Sequence, residues 1–263
     1  MTVRAPVPTS SPTATYDGRD AATLAALLDL PRVLVFAEVG STLDVVHALG
    51  ERGEPEGALV LADAQTAGRG RMGRSWRSDP GAGIWLTLLE RPERPESLGV
   101  LALRLALALA PALEPFAGAP TRLKWPNDVY VGDRKLAGVL VEARWHGSRL
   151  DWVAIGVGIN VRPPVGFDGA GLAPDAQRLD VLAAIVPALR AAARATGPLT
   201  DDELARYERR DLALDRACTE PASGVVAGIR ADGALLVDTA AGLVACHASS
   251  LILAPAHSLG SRP

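Results

Sequence analysis

The stretch AQTAGRGRMGRSW at residues 64–76 decides how the rest of the chain is read. Gly68, Gly70 and Gly73 are interleaved with Arg69, Arg71 and Arg74, and Arg77 follows Trp76. Glycine lets a backbone approach a ligand closely. Arginine presents a planar fork of donors matched to carboxylate and phosphate. A segment built of both is suited to close around an anion. Its GRGRMG core fits G-x-G-x-x-G and follows the apolar run ALVLA at 58–62, so a dinucleotide-binding turn has to be weighed. The context argues against it, because that turn opens a helix and RSWRSDPG at 74–81 is a poor helix former. No Gly-Lys-Ser/Thr follows, as a P-loop requires. Ordering a glycine-rich loop costs about 1–2 kcal/mol per residue. The expectation is therefore a lid, mobile when empty and closed over an anionic ligand.

Upstream, RVLVFAE at 32–38 reads as a buried strand. Ser41 can cap a helix that carries Asp44 in its first turn and ends at Gly50. Residues 58–62 and 84–89 are further strands flanking the arginine loop. Residues 98–110 predict a long buried helix, capped by Ser97 and stopped by Pro111. A strand at 123–125 is broken by Pro126-Asn127-Asp128, and 129–131 with 135–144 form a hairpin around Gly132-Asp133. Alternation along that hairpin puts Lys135 and Val139 on one face and Leu136, Gly138 and Glu142 on the other. Asp128 and Lys135 oppose each other across it, and Gly138 in mid-strand marks a close ligand or backbone. A strand at 152–157 runs into GVGIN at 156–160, where two glycines permit close approach and Asn160 offers a polar contact.

Helices follow at 175–196 and, opened by a Thr200–Glu203 capping box, at 201–212. The texture then changes to short strands at 225–230, 234–238, 243–247 and 251–253, joined by Asp232-Gly233 and Ala241-Gly242 turns. That pattern predicts a small antiparallel barrel. Residues 1–18, rich in Pro, Ser and Thr, read as disordered, 20–30 as one short helix, and 257–263 as a loose tail.

The length of 263 residues suits one full-sized domain and a small one. A net charge of −3 gives no support for non-specific nucleic-acid binding. Cys218 and Cys246 are too few for a disulfide framework and lack metal-ligand spacing, so they read as reduced thiols of a cytoplasmic protein. The longest apolar run, 98–113, is short for a membrane span and is interrupted by Arg104 and Pro111. The N-terminus lacks the apolar core of a signal peptide. Lysine occurs only at 124 and 135, asparagine at 127 and 160, and glutamine at 65 and 177. In a chain drifted toward alanine and arginine, such survivors mark positions where the chemistry is needed.

Four segments in order, GRGRMGRSW, KWPNDV, RKLAGVLVE and GVGINV, resemble the biotin–protein ligases. The resemblance covers 32–160 with strong motifs and continues more weakly to about 255. It implies an α+β fold: a mixed sheet flanked by helices, like the core of class II aminoacyl-tRNA synthetases, with a C-terminal SH3-like small β-barrel. The corresponding divisions are a tail with a short helix at 1–30, a catalytic domain at 31–214, an SH3-like domain at 215–256 and a tail at 257–263. The implied reaction uses biotin and MgATP to form biotinyl-5′-AMP and pyrophosphate. The acyl group then passes to one lysine of a biotin carboxyl carrier domain of a carboxylase.

Carried over position by position, the resemblance makes Arg71 the key loop arginine and Lys135 the lysine at the biotin carboxylate and phosphate. Ser41, Thr42, Gln65, Arg69, Gly70 and Gly138 then face biotin. Arg74, Trp76, Asn127, Asp128 and Asn160 fall on the adenylate side, with Asp128 also the candidate Mg2+ ligand. One departure stands out: the family's Ser-Thr-Asn is Ser41-Thr42-Leu43 here, which removes a polar contact to the ureido ring. The chain is expected to lack a repressor domain, to bind no nucleic acid or membrane, and to be a monomer or weak homodimer. A lipoate or octanoyl ligase on the related fold and a non-catalytic biotin-binding protein are the alternatives. The Arg-Arg/Ser-Gly-Gly-Gly lid of the lipoate and octanoyl enzymes is absent.

Overall fold

The computed structural model describes residue 12 and residues 15–92, 94–247 and 249–255. Most of the tail expected at 1–18, and all of that at 257–263, lies outside them. From residue 15 the chain is not a tail but a hairpin of β1 (Thr15–Tyr16) and β2 (Arg19–Asp20). Its anchor is remote in sequence. Arg178 pairs with Asp17 and Asp63 and lies 4.3 Å from the Tyr16 ring centroid. Composition at the N-terminus cannot reveal that partner. Asp20 then caps the short helix α1 (Ala21–Leu27) by accepting from Thr23 N at 2.7 Å.

A seven-stranded sheet forms the centre. Its members in chain order are β3 (Arg32–Val39), β4 (Ala58–Gln65), β5 (Gly83–Glu90), β6 (Thr121–Lys124), β7 (Asp128–Val131), β8 (Arg134–His146) and β9 (Arg149–Asn160). Spatially the order is β3-β4-β5-β9-β8-β7-β6; β3 and β4 are parallel and every other pair is antiparallel. The helix α2 (Thr42–Glu51) connects β3 to β4, as a parallel pair requires. The sheet is mixed and flanked by helices, as the resemblance implies.

The two faces of the sheet are covered differently. On one, α3 (Leu98–Ala117) and α4 (Arg178–Arg194) pack over Leu59, Leu86, Val139 and Ile155 in the larger core. The other face is partly covered by α2, whose Leu43, Val46 and Leu49 join Phe36, Val60 and Trp152 in a smaller core. The rest of that face is left for the loop at 66–81.

Several expectations change here. The α3 helix does not stop at Pro111 but continues through Pro111 and Pro115 to Ala117. Both prolines are exposed, while Leu109, Ala110, Leu113 and Ala117 stay buried on the other side. Burial of that stripe outweighs a cost of about 3 kcal/mol per interior proline. Ser97 does not cap α3; its hydroxyl accepts from Gly197 N at 3.0 Å. The buried Arg104 in this helix binds Glu203 at 2.6 Å, and Glu203 also completes the capping box of α5 (Asp201–Glu208). α5 ends before residue 212 because the chain leaves it to pair with the sheet edge, Leu123 N donating to Arg210 O and Leu212 N to Leu123 O. Gly50 lies within α2, where a Cβ would stand 2.4 Å from the Trp152 ring.

The C-terminal strands β10 (Ala217–Glu220), β11 (Gly224–Ile229), β12 (Leu235–Thr239), β13 (Gly242–Cys246) and β14 (Ile252–Leu253) form an antiparallel sheet in the order β13-β12-β11-β10-β14. This is consistent with the SH3-like module. β10 was not expected, because ACTE carries no apolar alternation. Trp125 ties the two sheets together, its indole N–H donating to Gly233 O at 3.0 Å.

Candidate functional site

A cavity of about 240 Å³ opens on the face of the central sheet that α2 leaves uncovered. Its floor is made by missing side chains. A Cβ at Gly158 would meet the Trp76 indole at 2.5 Å, one at Gly138 would stand 3.2 Å from Asp128 Oδ1, and one at Gly156 3.2 Å from Leu43. Gly138 and Gly158 therefore let Trp76 lie directly against β8 and β9, and Gly156 makes room for Leu43. The Trp76 ring meets Trp85 edge-on at 6.4 Å, and the Lys135 ammonium sits 4.9 Å from its centroid.

Face alternation along β8 is broken by a bulge. Val129 pairs with Ala137 but Tyr130 pairs with Lys135, so Leu136 is the extra residue. Lys135 thereby moves onto the face of Gly138, contrary to the alternation expected from the sequence. Its Cε would be 3.2 Å from a Cβ at Gly138, and its Nζ meets Asp128 Oδ1 at 2.7 Å. Leu136, assigned to the Gly138 face by alternation, is instead buried in the core with Ala137 and Val139.

The arginine loop forms the facing wall. It is a miniature hairpin: Trp76 N donates to Gly68 O at 2.8 Å and Gly70 N to Arg74 O at 2.7 Å. Bridges Gln65–Ser78 and Arg69–Ser75 continue it. At the tip Met72 takes φ 56°, a left-handed conformation that costs a non-glycine residue about 1–2 kcal/mol. The tip reaches the C-terminal sheet's side of the cavity, where Arg71 donates to Ser249 O at 3.4 Å and Ser250 Oγ approaches Met72 Sδ at 3.4 Å.

A neutral polar cluster sits at the start of α2. Gln65 Oε1 accepts from Thr42 N at 2.9 Å and Thr42 Oγ1 at 3.1 Å, while Gln65 Nε2 donates to Ser78 Oγ at 2.8 Å. Thr87 Oγ1 donates to Thr42 Oγ1 at 2.8 Å. Gln65 thus has both ends of its amide engaged and fixes Ser41 and Thr42 in place. Leu43 is buried beside them against Gly156.

Charge is concentrated at this cavity. Arg71, Arg74, Lys124 and Lys135 line it, against the one carboxylate of Asp128. Among the described residues neither Arg74 nor Lys124 makes an ion pair. Burial, reinforced by Lys135, Arg216 and Arg74 and opposed by Asp128, holds the Lys124 ammonium below its ordinary pKa. Burial likewise lowers Arg71 and pushes Tyr130 up to about 12. The buried Lys124 and Arg71 cations gain from receiving negative charge.

Of the residues singled out from the sequence, Ser41, Thr42, Gln65, Arg69, Gly70, Arg71, Arg74, Trp76, Asn127, Asp128, Lys135 and Gly138 line this one cavity. Asn160 does not; its amide donates to Lys135 O at 3.3 Å from behind the wall. Asn127 is a pin, its amide donating to Val139 O while its carbonyl accepts from Val139 N. Arg69 reaches the wall but is held by Asp44 at 2.8 Å and Glu142 at 3.4 Å. Sequence reasoning missed Lys124, Tyr130, Ser250 and Leu251 as wall residues. Lys124 had a signal, since both lysines of the chain prove to face the cavity. Ser250 and Leu251 had none.

The biotin/lipoate A/B protein ligase family matches residues 37–160. The bifunctional ligase/repressor BirA of Bacillus spizizenii is 44% identical over 130 residues, covering 49% of this chain and 40% of that protein. The chain thus aligns with about two fifths of that relative's length. The biotin–[acetyl-CoA-carboxylase] ligase of Paracoccus denitrificans is 35% identical over 206 residues, covering 70% of this chain and 85% of that protein. Among solved structures, the biotin protein ligase from Aquifex aeolicus in complex with biotin and ATP matches with a TM-score of 0.71 and 29% identity, covering 84% and 98% of the two chains.

Proposed function

Because this chain belongs to the biotin–protein ligase family, we propose that it is an ATP-dependent biotin–protein ligase acting on a lysine of a carboxylase carrier domain, in a compartment where Cys218 and Cys246 stay reduced. A carboxylate oxygen of biotin attacks the α-phosphorus of ATP, and the bond to the bridging oxygen breaks. Pyrophosphate leaves with both electrons of that bond. The acceptor amine then attacks the acyl carbon of the mixed anhydride, AMP departs, and the amine's extra proton is lost to solvent.

The carrying observation is the convergence of Lys135, Lys124 and Arg71 on one cavity whose wall also holds the neutral Ser41–Thr42–Gln65 cluster. Two anions must be brought into contact, and their repulsion is the barrier. Lys135 and Lys124, placed on sheet strands before the reactants arrive, lower it without reorganisation, and Arg71 adds its charge when the loop covers the site. Ser41 and Thr42 supply hydroxyls for the ring end of biotin, and Trp76 supplies an apolar surface on the adenylate side. Asp128 orients Lys135 in the first instance. Among the described residues no three His, Cys, Asp or Glu side chains cluster to hold a metal. One carboxylate is what a magnesium ion carried in on ATP phosphates would need, and Asp128 is the candidate donor.

The test is biotin-dependent exchange of pyrophosphate into ATP. Exchange with biotin and none with lipoate or octanoate is the expected result. Exchange with lipoate but not biotin would transfer the chain to the other branch of its family.

A further inference from the structure

We infer that His47 and Glu142, neither of which touches the cavity, are positioning residues that hold the arginine loop through Arg69. The inference rests on the ligase reading and adds two residues that it leaves unused.

His47 is 2% exposed on α2, and a buried imidazole needs a partner for each nitrogen. Trp152 Nε1 lies 3.1 Å from His47 Nδ1. An indole N–H only donates, so Nδ1 is the acceptor and the neutral ring carries its proton on Nε2. Nε2 in turn donates to Glu142 Oε2 at 2.8 Å. The other oxygen of that carboxylate accepts from Arg69 Nε at 3.4 Å, and Arg69 Nη1 reaches Asp44 Oδ1 at 2.8 Å.

A histidine satisfied only for burial would end this chain of bonds in the core. Here it runs outward from Trp152 through His47 and Glu142 to a loop arginine. Asp44 and His47 are one turn apart on α2, so the same helix grips Arg69 directly and through Glu142. Arg69 is bridged to Ser75 in the loop hairpin and flanks Gly70 in the cavity wall. Fixing its guanidinium therefore fixes the mouth of the loop over Thr42 and Leu43. The Glu142 carboxyl, held down to about 2 by the His47 hydrogen bond and the Arg69 charge against the effect of burial, stays ionised throughout the working range.

The test compares His47→Phe, which keeps a ring and removes both bonds, Glu142→Gln, which keeps shape and removes charge, and His47→Gln, whose amide N–H can still reach Glu142. In pyrophosphate exchange by the full chain, KM for biotin should rise about tenfold in the first two, with kcat within about twofold. His47→Gln should restore most of the loss. Trypsin should cut faster after Arg69, Arg71 and Arg74 in the same two variants. In an Arg69→Ala background, His47→Phe should add nothing.

An unchanged KM in Glu142→Gln would overturn the inference, and so would an undiminished effect of His47→Phe on Arg69→Ala. Should His47→Phe not fold, Glu142→Gln carries the test alone, since its side chain is already 25% exposed. Failure of the wild type to exchange with biotin would defeat the ligase reading instead, and trypsin cleavage would still decide this one.

Discussion

The two walls of the cavity are built on opposite principles. The lysine wall is part of the central sheet. Lys135 and Asp128 project from paired strands, a bulge sets their face, and Asn127 pins the turn beside them. The arginine wall is an excursion that bonds mainly to itself, carries a left-handed methionine at its tip, and reaches the sheet chiefly through Arg69 and Trp76. Catalytic charge that must be in place before the reactants meet belongs on the rigid wall. Charge that must let reactants in and then cover a hydrolysable intermediate belongs on the wall that can move.

This contrast can be broken most severely by removing one cation from each wall. Lys135→Ala should lower biotin-dependent exchange about 10²- to 10³-fold with the fold intact, as loss of a preorganised charge does. Arg71→Ala should cost about tenfold in exchange and release the adenylate into solution, because its loss opens the cover rather than the chemistry. Equal rate losses, with the adenylate retained in both, would erase the distinction between the walls.

A smaller effect sharpens the account of how the arginine wall is anchored. Glu142 has its folded pKa depressed from 4.5 to about 2. A depressed carboxyl contributes stability that is present above its unfolded pKa and is lost as pH falls through the folded one. The wild type should therefore be more stable than Glu142→Gln by about 1–2 kcal/mol at pH 7, after discounting for partial solvent screening. That difference should shrink between about pH 4.5 and 2. Denaturant titrations of both proteins at several pH values measure it, and a difference independent of pH would show that the charge is not what holds the loop.

How much of this was legible beforehand follows the same division. The strands of the central sheet, the α2 cap at Ser41 and the α5 capping box were readable because each is a local pattern of alternation, capping or turn chemistry. The glycines at 138, 156 and 158 were readable as close approaches, although not that a tryptophan from the loop would lie on 138 and 158 and Leu43 on 156. What failed was non-local. The end of α3 depended on which side of the helix its prolines face. The side of Lys135 depended on a bulge that alternation cannot foresee. The ordered start at Thr15 depended on Arg178, and the Ser250 and Leu251 wall on how the second sheet docks. Arg69 has two carboxylates at its fork in place of a free face, because Asp44 and Glu142 converge only once α2 packs on the central sheet.

The most direct test of the two-wall account is hydrogen exchange of backbone amides in residues 66–78 and 128–138, with and without biotin and ATP. The account predicts fast exchange in the loop that slows strongly when both ligands are present, and slow exchange in the hairpin that hardly changes. Equal protection of the two segments without ligand, or slowing confined to the hairpin, would contradict it.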